Sequence, residues 1–197
     1  MITRQQALEL LHKNMSSPNL RRHCYSVEAV MKALARHFEK GQKSSDAKAM
    51  EETWGIVGLL HDGDYEMTKE TPEKHTLLMA QWLKEMGETD TQIMDAILSH
   101  NYAHTGENPP KNNLEWSLYC CDELTGFIVA TALVRPEKSL ASVTIENILK
   151  KWKERSFASG VKREQVAECE SRLGIPLNEF IEIALNAMQA IAPDLGL

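Results

Sequence analysis

Two adjacent residues with metal-binding side chains, His61 and Asp62, end an apolar stretch and directly precede a glycine. Neutral imidazole and carboxylate are both good ligands for divalent metals such as zinc, manganese or iron. Successive residues of a helix point about 100° apart, so this pair cannot surround one ion without side chains from other helices. The pair therefore predicts a metal site whose remaining ligands come from elsewhere in the chain.

Four further histidines lie where predicted helices could converge. His23 falls near the start of a long predicted helix, on the edge of its apolar face, and His100 falls at the C-terminal end of another. His75 is expected in the first turn of its helix, three residues before Leu78. Sites in helical bundles are usually built from inward-facing side chains of neighbouring helices. These three histidines and His104 are therefore candidates for the site.

Asp122 is an acidic residue in an unusually apolar segment. The surrounding residues 116–129 are too apolar to form a solvated helix face. A carboxylate buried there would cost several kcal/mol unless it were paired or bound to a metal. Asp122 is therefore predicted to be a metal ligand.

The elements that must position these side chains are predicted to be helices throughout. Apolar residues recur at helical spacing along nearly the whole chain, and valine-rich alternating segments are absent. We predict one all-α domain over residues 1–197, of which about 136–197 form a C-terminal helical extension. The predicted helices cover residues 3–14, 19–40, 46–61, 71–86, 90–100, 114–134, 142–154, 162–173 and 177–191.

The composition narrows the possible partners and the compartment. With 43% apolar and 25% charged residues the 197-residue chain has a soluble globular profile, and its net charge of -6 disfavours nucleic acid and anionic membranes. The N-terminus has no apolar signal core, and no stretch approaches 18 uninterrupted apolar residues. The four cysteines form neither a CxxC pair nor a disulfide framework. We therefore expect a cytoplasmic protein without nucleic-acid or membrane partners.

In chain order, His23, the pair His61 and Asp62, and Asp122 form an H…HD…D pattern. This pattern resembles the HD-domain superfamily of metal-dependent phosphohydrolases, and the resemblance covers about residues 18–135. The segment after Asp122 is also similar to a bacterial branch of this superfamily that is known only as HD hydrolases. The additional His75 and His100 resemble the five-histidine subgroup, which holds two metals.

The resemblance implies an HD-type helical bundle that binds one or two divalent ions, without deciding between Mn, Fe, Co, Ni, Zn and Mg. The implied ligands of the first metal are His23, His61, Asp62 and Asp122. The implied second metal shares Asp62 as a bridging carboxylate and adds His75 and His100.

The place of His104 depends on the helix that carries His100. If that helix continues, the two histidines are four residues apart on one face and both can face the metals. If the chain turns at Asn101, His104 instead lines the mouth of the site.

Two neighbouring ions bind phosphate oxygens, lower the pKa of a bridging water and stabilise an in-line displacement. The resemblance therefore implies hydrolysis of a small-molecule phosphate monoester or diester, with a nucleotide as the favoured substrate. Asp64 and Glu66 are candidates for orienting the water or protonating the leaving oxygen, and solvated loop carboxylates are an equally weighted alternative. Lys69 and Arg135 are candidate phosphate contacts, against the alternative of solvated charges.

Two other functions remain open at the level of sequence. Some HD-fold proteins are di-iron oxygenases whose ligand sets are similar to this one. A non-catalytic metal-binding signalling module is the third possibility, and the complete ligand set argues against it. The sequence does not identify the substrate, the metal or the oligomeric state.

Overall fold

The computed structural model describes residues 2–39 and 45–197, which form helices and no β-strand. The predicted all-α fold class is confirmed. The predicted end of the second helix at residue 40 lies outside the described residues. The helices are α1 (Arg4–Asn14), α2 (Pro18–Phe38), α3 (Ser45–Leu60), α4 (Tyr65–Thr68), α5 (Leu77–Glu85), α6 (Thr91–His100), α7 (Tyr102–Thr105), α8 (Asn113–Leu133), α9 (Ile145–Trp152), α10 (Arg163–Leu173), α11 (Leu177–Ala190) and α12 (Ala192–Leu195).

Five of the described helices (α1, α2, α6, α8 and α9) begin after a residue whose side chain accepts a hydrogen bond from a free backbone amide. The Thr3 hydroxyl accepts from the amide of Gln6 at the start of α1, and the Asp90 carboxylate accepts from the amide of Gln92 at the start of α6. Asn112 caps α8 in the same way. Such caps are typically worth about 1 kcal/mol each, because a helix leaves its first four N–H groups without partners.

Helices α2, α3 and α8 form the centre of the fold. Their apolar faces meet in a core that includes the fully buried Val27, Met31, Leu60, Leu118 and Phe127. Helix α3 lies very close to α2 at Gly58, where an added Cβ would be 2.9 Å from the carbonyl carbon and oxygen of Val27. Glycine is required there for this spacing, and His61 follows it by less than one helical turn.

The C-terminal helices pack back onto the central ones. Helix α10 lies along α8, and α11 lies along α2. Val166, Cys169, Phe180 and Ile181 from these two helices are fully buried and belong to the same hydrophobic core as α2 and α8. The extension thus contributes directly to the core around the site.

Two further observations concern membranes and cysteines. None of the helices in the described ranges has the length and apolar character needed to span a bilayer. Cys24, Cys120, Cys121 and Cys169 are all unpaired and buried, as expected of cysteines that serve as core residues.

The predicted start of the helix that corresponds to α5 was wrong. A helix was expected from residue 71, but a 3₁₀ turn occupies Pro72–Lys74, His75 is not helical, and α5 begins only at Leu77. Thr76 adopts a left-handed conformation with φ of 69°, which costs a non-glycine residue roughly 1 kcal/mol or more. The segment is held by tertiary contacts, because the Asn101 side chain donates to the carbonyl oxygens of Pro72 and His75.

Candidate metal centre

Four histidines and two aspartates meet between the central helices. His23 comes from α2, His100 from the last residue of α6 and Asp122 from the middle of α8. His61 and Asp62 follow directly after α3, so that the end of this helix delivers both. His75 reaches the same point from the non-helical segment before α5. The structure therefore brings together the six predicted ligands other than His104.

The first group of contacts surrounds one oxygen of Asp122. Its Oδ1 lies 2.9 Å from Nε2 of His23 and 3.4 Å from Nε2 of His61. Oδ2 of Asp62 faces the same two nitrogens at 3.6 and 3.7 Å. Four donor atoms from three helical regions thus point at one small volume.

The second group surrounds the other oxygen of Asp62. Its Oδ1 lies 3.2 Å from Nε2 of His75 and 3.2 Å from Nε2 of His100. Asp62 therefore offers one oxygen to each pair of histidines, which is the arrangement that a carboxylate between two ions requires. The separation into pairs is not strict, since His61, His100 and Asp122 also offer donor atoms within 4.8 Å of one another.

The other ring nitrogen of three histidines is held by an acceptor. Nδ1 of His61 donates to the carbonyl oxygen of Gly58 at 2.7 Å, and Nδ1 of His75 donates to Oδ1 of Asp64 at 2.7 Å. Nδ1 of His23 lies 3.3 Å from the hydroxyl of Thr125. Such contacts place the proton on Nδ1 and leave the lone pair of Nε2 free for a metal. Nδ1 of His100 is buried without a partner among the described residues.

The electrostatics of the centre favour bound positive charge. Burial lowers the pKa of His23, but the neighbouring Asp122 and Asp62 outweigh it and raise that pKa to about 9. The pKa of His75 is likewise raised to about 9, because Asp62 and Asp64 outweigh burial. The histidines in turn hold the carboxyl pKa of Asp122 well below its usual range despite burial. Protons and metal ions therefore compete for the same donors.

These donors fit a divalent ion. With protons on both Nδ1 atoms, the Nε2 lone pairs of His23 and His61 face each other at 3.2 Å, which is repulsive unless one nitrogen is protonated or a metal ion lies between them. Three combinations of three residues offer converging ligand atoms: His23, His61 and Asp62; His61, His100 and Asp122; and Asp62, His75 and His100. Imidazole and carboxylate donors suit several divalent metals, so the ligand set does not select one.

The structure gives Asp64 a role that differs from the predicted contact with water or leaving group. It is fully buried, so it is not a solvated loop residue either. Its Oδ1 accepts from His75, and its Oδ2 accepts from the backbone amide of Met79 at 2.9 Å. Asp64 thus orients one candidate metal ligand, His75, and caps the start of α5, with both oxygens occupied.

Glu66 lies outside the centre, contrary to the prediction. Its carboxylate accepts from the backbone amides of Ser16 and Ser17, at 2.7 and 3.1 Å, beside the start of α2. The hydrogen bond from the Ser16 side chain is the main reason that the pKa of Glu66 is lowered. Glu66 connects α4 to the α1–α2 turn and does not face the site.

The two predicted phosphate contacts are also elsewhere. Lys69 is exposed after α4 and does not line the cavity at the centre. The guanidinium of Arg135 donates to the hydroxyl of Ser142 and to Oδ1 of Asn147, both at 3.0 Å. Arg135 therefore fixes the segment between α8 and α9. Its position just after the helix of Asp122 does not bring it to the site, because its guanidinium is bound by Ser142 and Asn147.

His104 lies at the mouth of the site. Helix α6 ends at His100, and the separate short helix α7 turns His104 away from the ligand groups. Its Nε2 lies 3.4 Å from Nζ of Lys162, which precedes α10. Of the two predicted alternatives, a continuous helix or a turn at Asn101, the structure shows the turn.

An open cavity of about 340 Å³ gives access to the centre. Besides the ligands it is lined by Tyr65, Glu123, Val161 and Gln165, none of which was predicted. Glu123 could have been considered because it follows Asp122. Nothing in the sequence pattern indicated that Val161 and Gln165 belong to the site, because only the packing of the α10 region on α8 brings them there.

Comparisons with known proteins add no relative: no family model, no curated protein and no solved structure matches the chain.

Proposed function

We propose that the protein is a metal-dependent phosphohydrolase of the HD type, which cleaves phosphate esters of a small molecule. The observation that carries the proposal is Asp62, whose two oxygens face two different pairs of histidines. Together with the order of His23, His61, Asp62 and Asp122 in the chain, this geometry matches what the sequence resemblance implies.

Charge balance supports a phosphate substrate. Four neutral imidazoles and two carboxylates carry a net charge of about -2, so two divalent ions would leave the centre with an excess of about +2. Within the described part of the chain, the residues that line the cavity include no lysine or arginine. Attraction of a phosphate dianion would therefore come from the metal ions.

When bound, divalent ions supply Lewis acidity and lower the pKa of a coordinated water. The protein contributes the orientation of the ligands. Asp64, Gly58 and Thr125 hold the outer nitrogens of three histidines, so that the inner nitrogens need little reorganisation to bind. Burial around His61 and His75 also strengthens the electrostatic interactions there, because little water screens them.

The test is metal analysis of protein purified without chelator, followed by assays of phosphate release. The panel contains nucleotides and other phosphate esters with added Mn, Co or Ni. We expect release by the wild-type protein, and a loss of at least 100-fold in His61→Ala and Asp62→Ala. His37→Ala serves as the control, because this α2 histidine lies next to Glu179 and away from the centre.

Three outcomes would contradict the proposal. Unchanged phosphate release in His61→Ala or Asp62→Ala would place the activity elsewhere. Bound iron with oxygen consumption and no phosphate release would identify an oxygenase. Bound metal without phosphate release or oxygen consumption would indicate a non-catalytic metal-binding module.

A further inference from the structure

Gly126 lies in the middle of α8, where the local structure gives no reason for glycine. It is exposed, its φ is not positive, and a Cβ added to it would meet no atom within 4 Å. Glycine in a helix interior is less stable than alanine. A turn, a left-handed conformation and close helix packing are all excluded as the cause. The absence of a side chain at Gly126 leaves open space beside α8.

That space borders both the cavity at the metal centre and a second cavity. The second cavity has a volume of about 380 Å³ and lies between α2, α8 and the last residues of the chain. His23 and Gly126 line both cavities. Because His23 is one of the candidate ligands, the second cavity begins directly beside the metal centre. We call it the side groove.

The side groove follows one face of α8 away from Asp122. Gly126, Val129 and Leu133 come four, seven and eleven residues after Asp122, a spacing that keeps them on one side of a helix. Eleven residues of helix span roughly 16 Å. A ligand with its phosphate at the metal centre therefore has room for an extended group along this face.

The walls of the side groove are mostly apolar. Val129, Leu133 and Leu195 line it, and Leu133 is 48% exposed although leucine is normally buried. The hydroxyls of Ser26 and Thr125, which also line it, donate to the backbone carbonyls of Arg22 and Asp122. The side-chain amide of Asn19 also lines it, so that few neutral polar side chains remain to bind the edges of a nucleoside base. The walls thus suit a hydrocarbon group better.

Arg22 supplies a positive charge at the edge of the side groove. Arg22 is exposed, its guanidinium lies against Gly196, and it forms no ion pair with any described residue. The other α2 arginines differ: Arg21 donates to the carbonyls of Met15 and His12, and Arg36 is paired with Glu51. An unpaired arginine beside an apolar surface suits a ligand with an anionic group at that position.

We propose that the side groove binds the ester group of the substrate, and that this group is an apolar chain with a second anionic group that contacts Arg22. This inference rests on the proposed phosphohydrolase function and deepens it by naming the substrate class. Gly126 keeps the passage open between the phosphate at the metal centre and the chain in the groove.

The test compares three alkyl phosphates whose leaving alcohols have similar reactivity: ethyl phosphate, hexyl phosphate and 6-phosphooxyhexanoate. Each buried methylene is worth roughly fourfold in binding. We therefore expect kcat/KM to be at least tenfold higher for hexyl than for ethyl phosphate, and higher again for the carboxylated ester. The same order is expected for equilibrium binding of ethylphosphonate and hexylphosphonate, which are not hydrolysed.

Two variants locate the effect. Gly126→Leu is expected to reduce the hexyl-to-ethyl ratio at least tenfold, while its metal content and unfolding midpoint match or exceed those of the wild type. Gly126→Ala, which adds one methyl group, should have a smaller effect on the ratio. Arg22→Gln should remove the preference for the carboxylated ester over the neutral hexyl ester, and Arg36→Gln should retain it.

The outcomes separate this inference from the proposed function. Equal kcat/KM for ethyl and hexyl phosphate, or equal losses for both in Gly126→Leu, would overturn the side groove as a substrate site. If no ester is hydrolysed but hexylphosphonate still binds at least tenfold more tightly than ethylphosphonate, and Gly126→Leu abolishes the difference, the groove is supported and the hydrolase function is not. Equal binding of both phosphonates without hydrolysis would overturn both.

Discussion

Asp62 and Asp64 are two residues apart and both carry carboxylates, yet the two side chains contact different groups. Asp62 faces four imidazole nitrogens that are available to a metal. Asp64 is fully buried and accepts from Nδ1 of His75 and from the amide of Met79. At the scale of single residues, the partners thus decide which carboxylate is available to a metal and which one orients a neighbouring histidine.

Replacement of Asp64 by alanine is expected to affect both stability and metal binding. Nδ1 of His75 and the amide of Met79 would lose their acceptors, which costs about 1–3 kcal/mol for each buried group. We expect a loss of about 2–6 kcal/mol in the free energy of unfolding and a metal affinity weakened about 10–100-fold. Denaturant unfolding and metal titration measure the two effects.

The control for this prediction is Asp95→Ala, which removes an exposed carboxylate on α6. It should change neither quantity appreciably. If Asp64→Ala bound metal as tightly as the wild type, His75 would not depend on Asp64 for its orientation.

Individual helices position the site through their ends and their closest contacts. His61 follows the last turn of α3, and His100 ends α6. Gly58 allows α3 to approach α2 so closely that the Nε2 atoms of His61 and His23 lie 3.2 Å apart. At the scale of elements, the distance between two helix axes thus sets the distance between two ligands.

Gly58→Ala is expected to push α3 away from α2, because its Cβ would lie 2.9 Å from backbone atoms of Val27 that cannot rotate aside. Overpacking of this kind costs about 1–3 kcal/mol. The shift should also separate His61 from His23 and weaken metal binding at least tenfold. Thermal unfolding and metal titration are the measurements.

Gly126→Ala is the matched control, since it makes the same change in a helix where the Cβ meets no atom within 4 Å. It should stabilise the protein by about 0.5–1 kcal/mol, because alanine is the better helix former. Equal effects of the two substitutions would show that helix propensity, and not the α2–α3 contact, determines the result.

The whole molecule is held together at the centre by groups that are far apart in the chain. His23 and Asp122 are separated by 99 residues in sequence and approach to 2.9 Å. Helix α10 covers this region, since the amide of Lys162 donates to Glu123 and the side chain of Gln165 donates to the carbonyl of Tyr119. A cation bound at the centre is therefore expected to stabilise the contacts between α2, the end of α3 and α8.

Metal removal is expected to make stability strongly dependent on pH. In the metal-free protein the raised pKa values of His23 and His75, about 9 against 6.5 for an ordinary histidine, stabilise the fold fully below pH 6.5. This stabilisation is lost as the pH rises from 6.5 to 9. One pKa unit corresponds to about 1.4 kcal/mol, which shifts the unfolding midpoint of a chain of this size by about 3–6 °C.

Thermal unfolding in chelator should therefore show a midpoint that falls by at least ~3 °C between pH 6.5 and 9. In excess metal the midpoint should rise or stay level over the same range, because metal binds the deprotonated imidazoles. If the unfolding midpoint of the metal-free protein did not change with pH in this range, the neighbouring aspartates would not stabilise the protonated forms of His23 and His75.

The sequence by itself determined the helical fold class, since the recurrence of apolar residues at helical spacing is a local property that each segment carries alone. It also indicated which side chains could bind a metal, because imidazole or carboxylate groups in apolar surroundings need a partner. Asp122 was recognisable in this way, whereas His23, His61, His75, His100 and His104 were recognised by their positions where helices could converge, and Asp62 by its place beside His61. Of these, His104 lies outside the ligand groups.

Only the tertiary structure decided what each polar residue contacts. Asp64, Glu66 and Arg135 carry the right chemistry for a phosphate site, but their oxygens and nitrogens are occupied by backbone and side-chain groups from other elements. The start of α5 likewise depends on Asp64 and Asn101, not on the proline at position 72. The physical reason is that hydrogen bonds and ion pairs are satisfied by whichever group the packing brings near, and that packing is not encoded in local spacing.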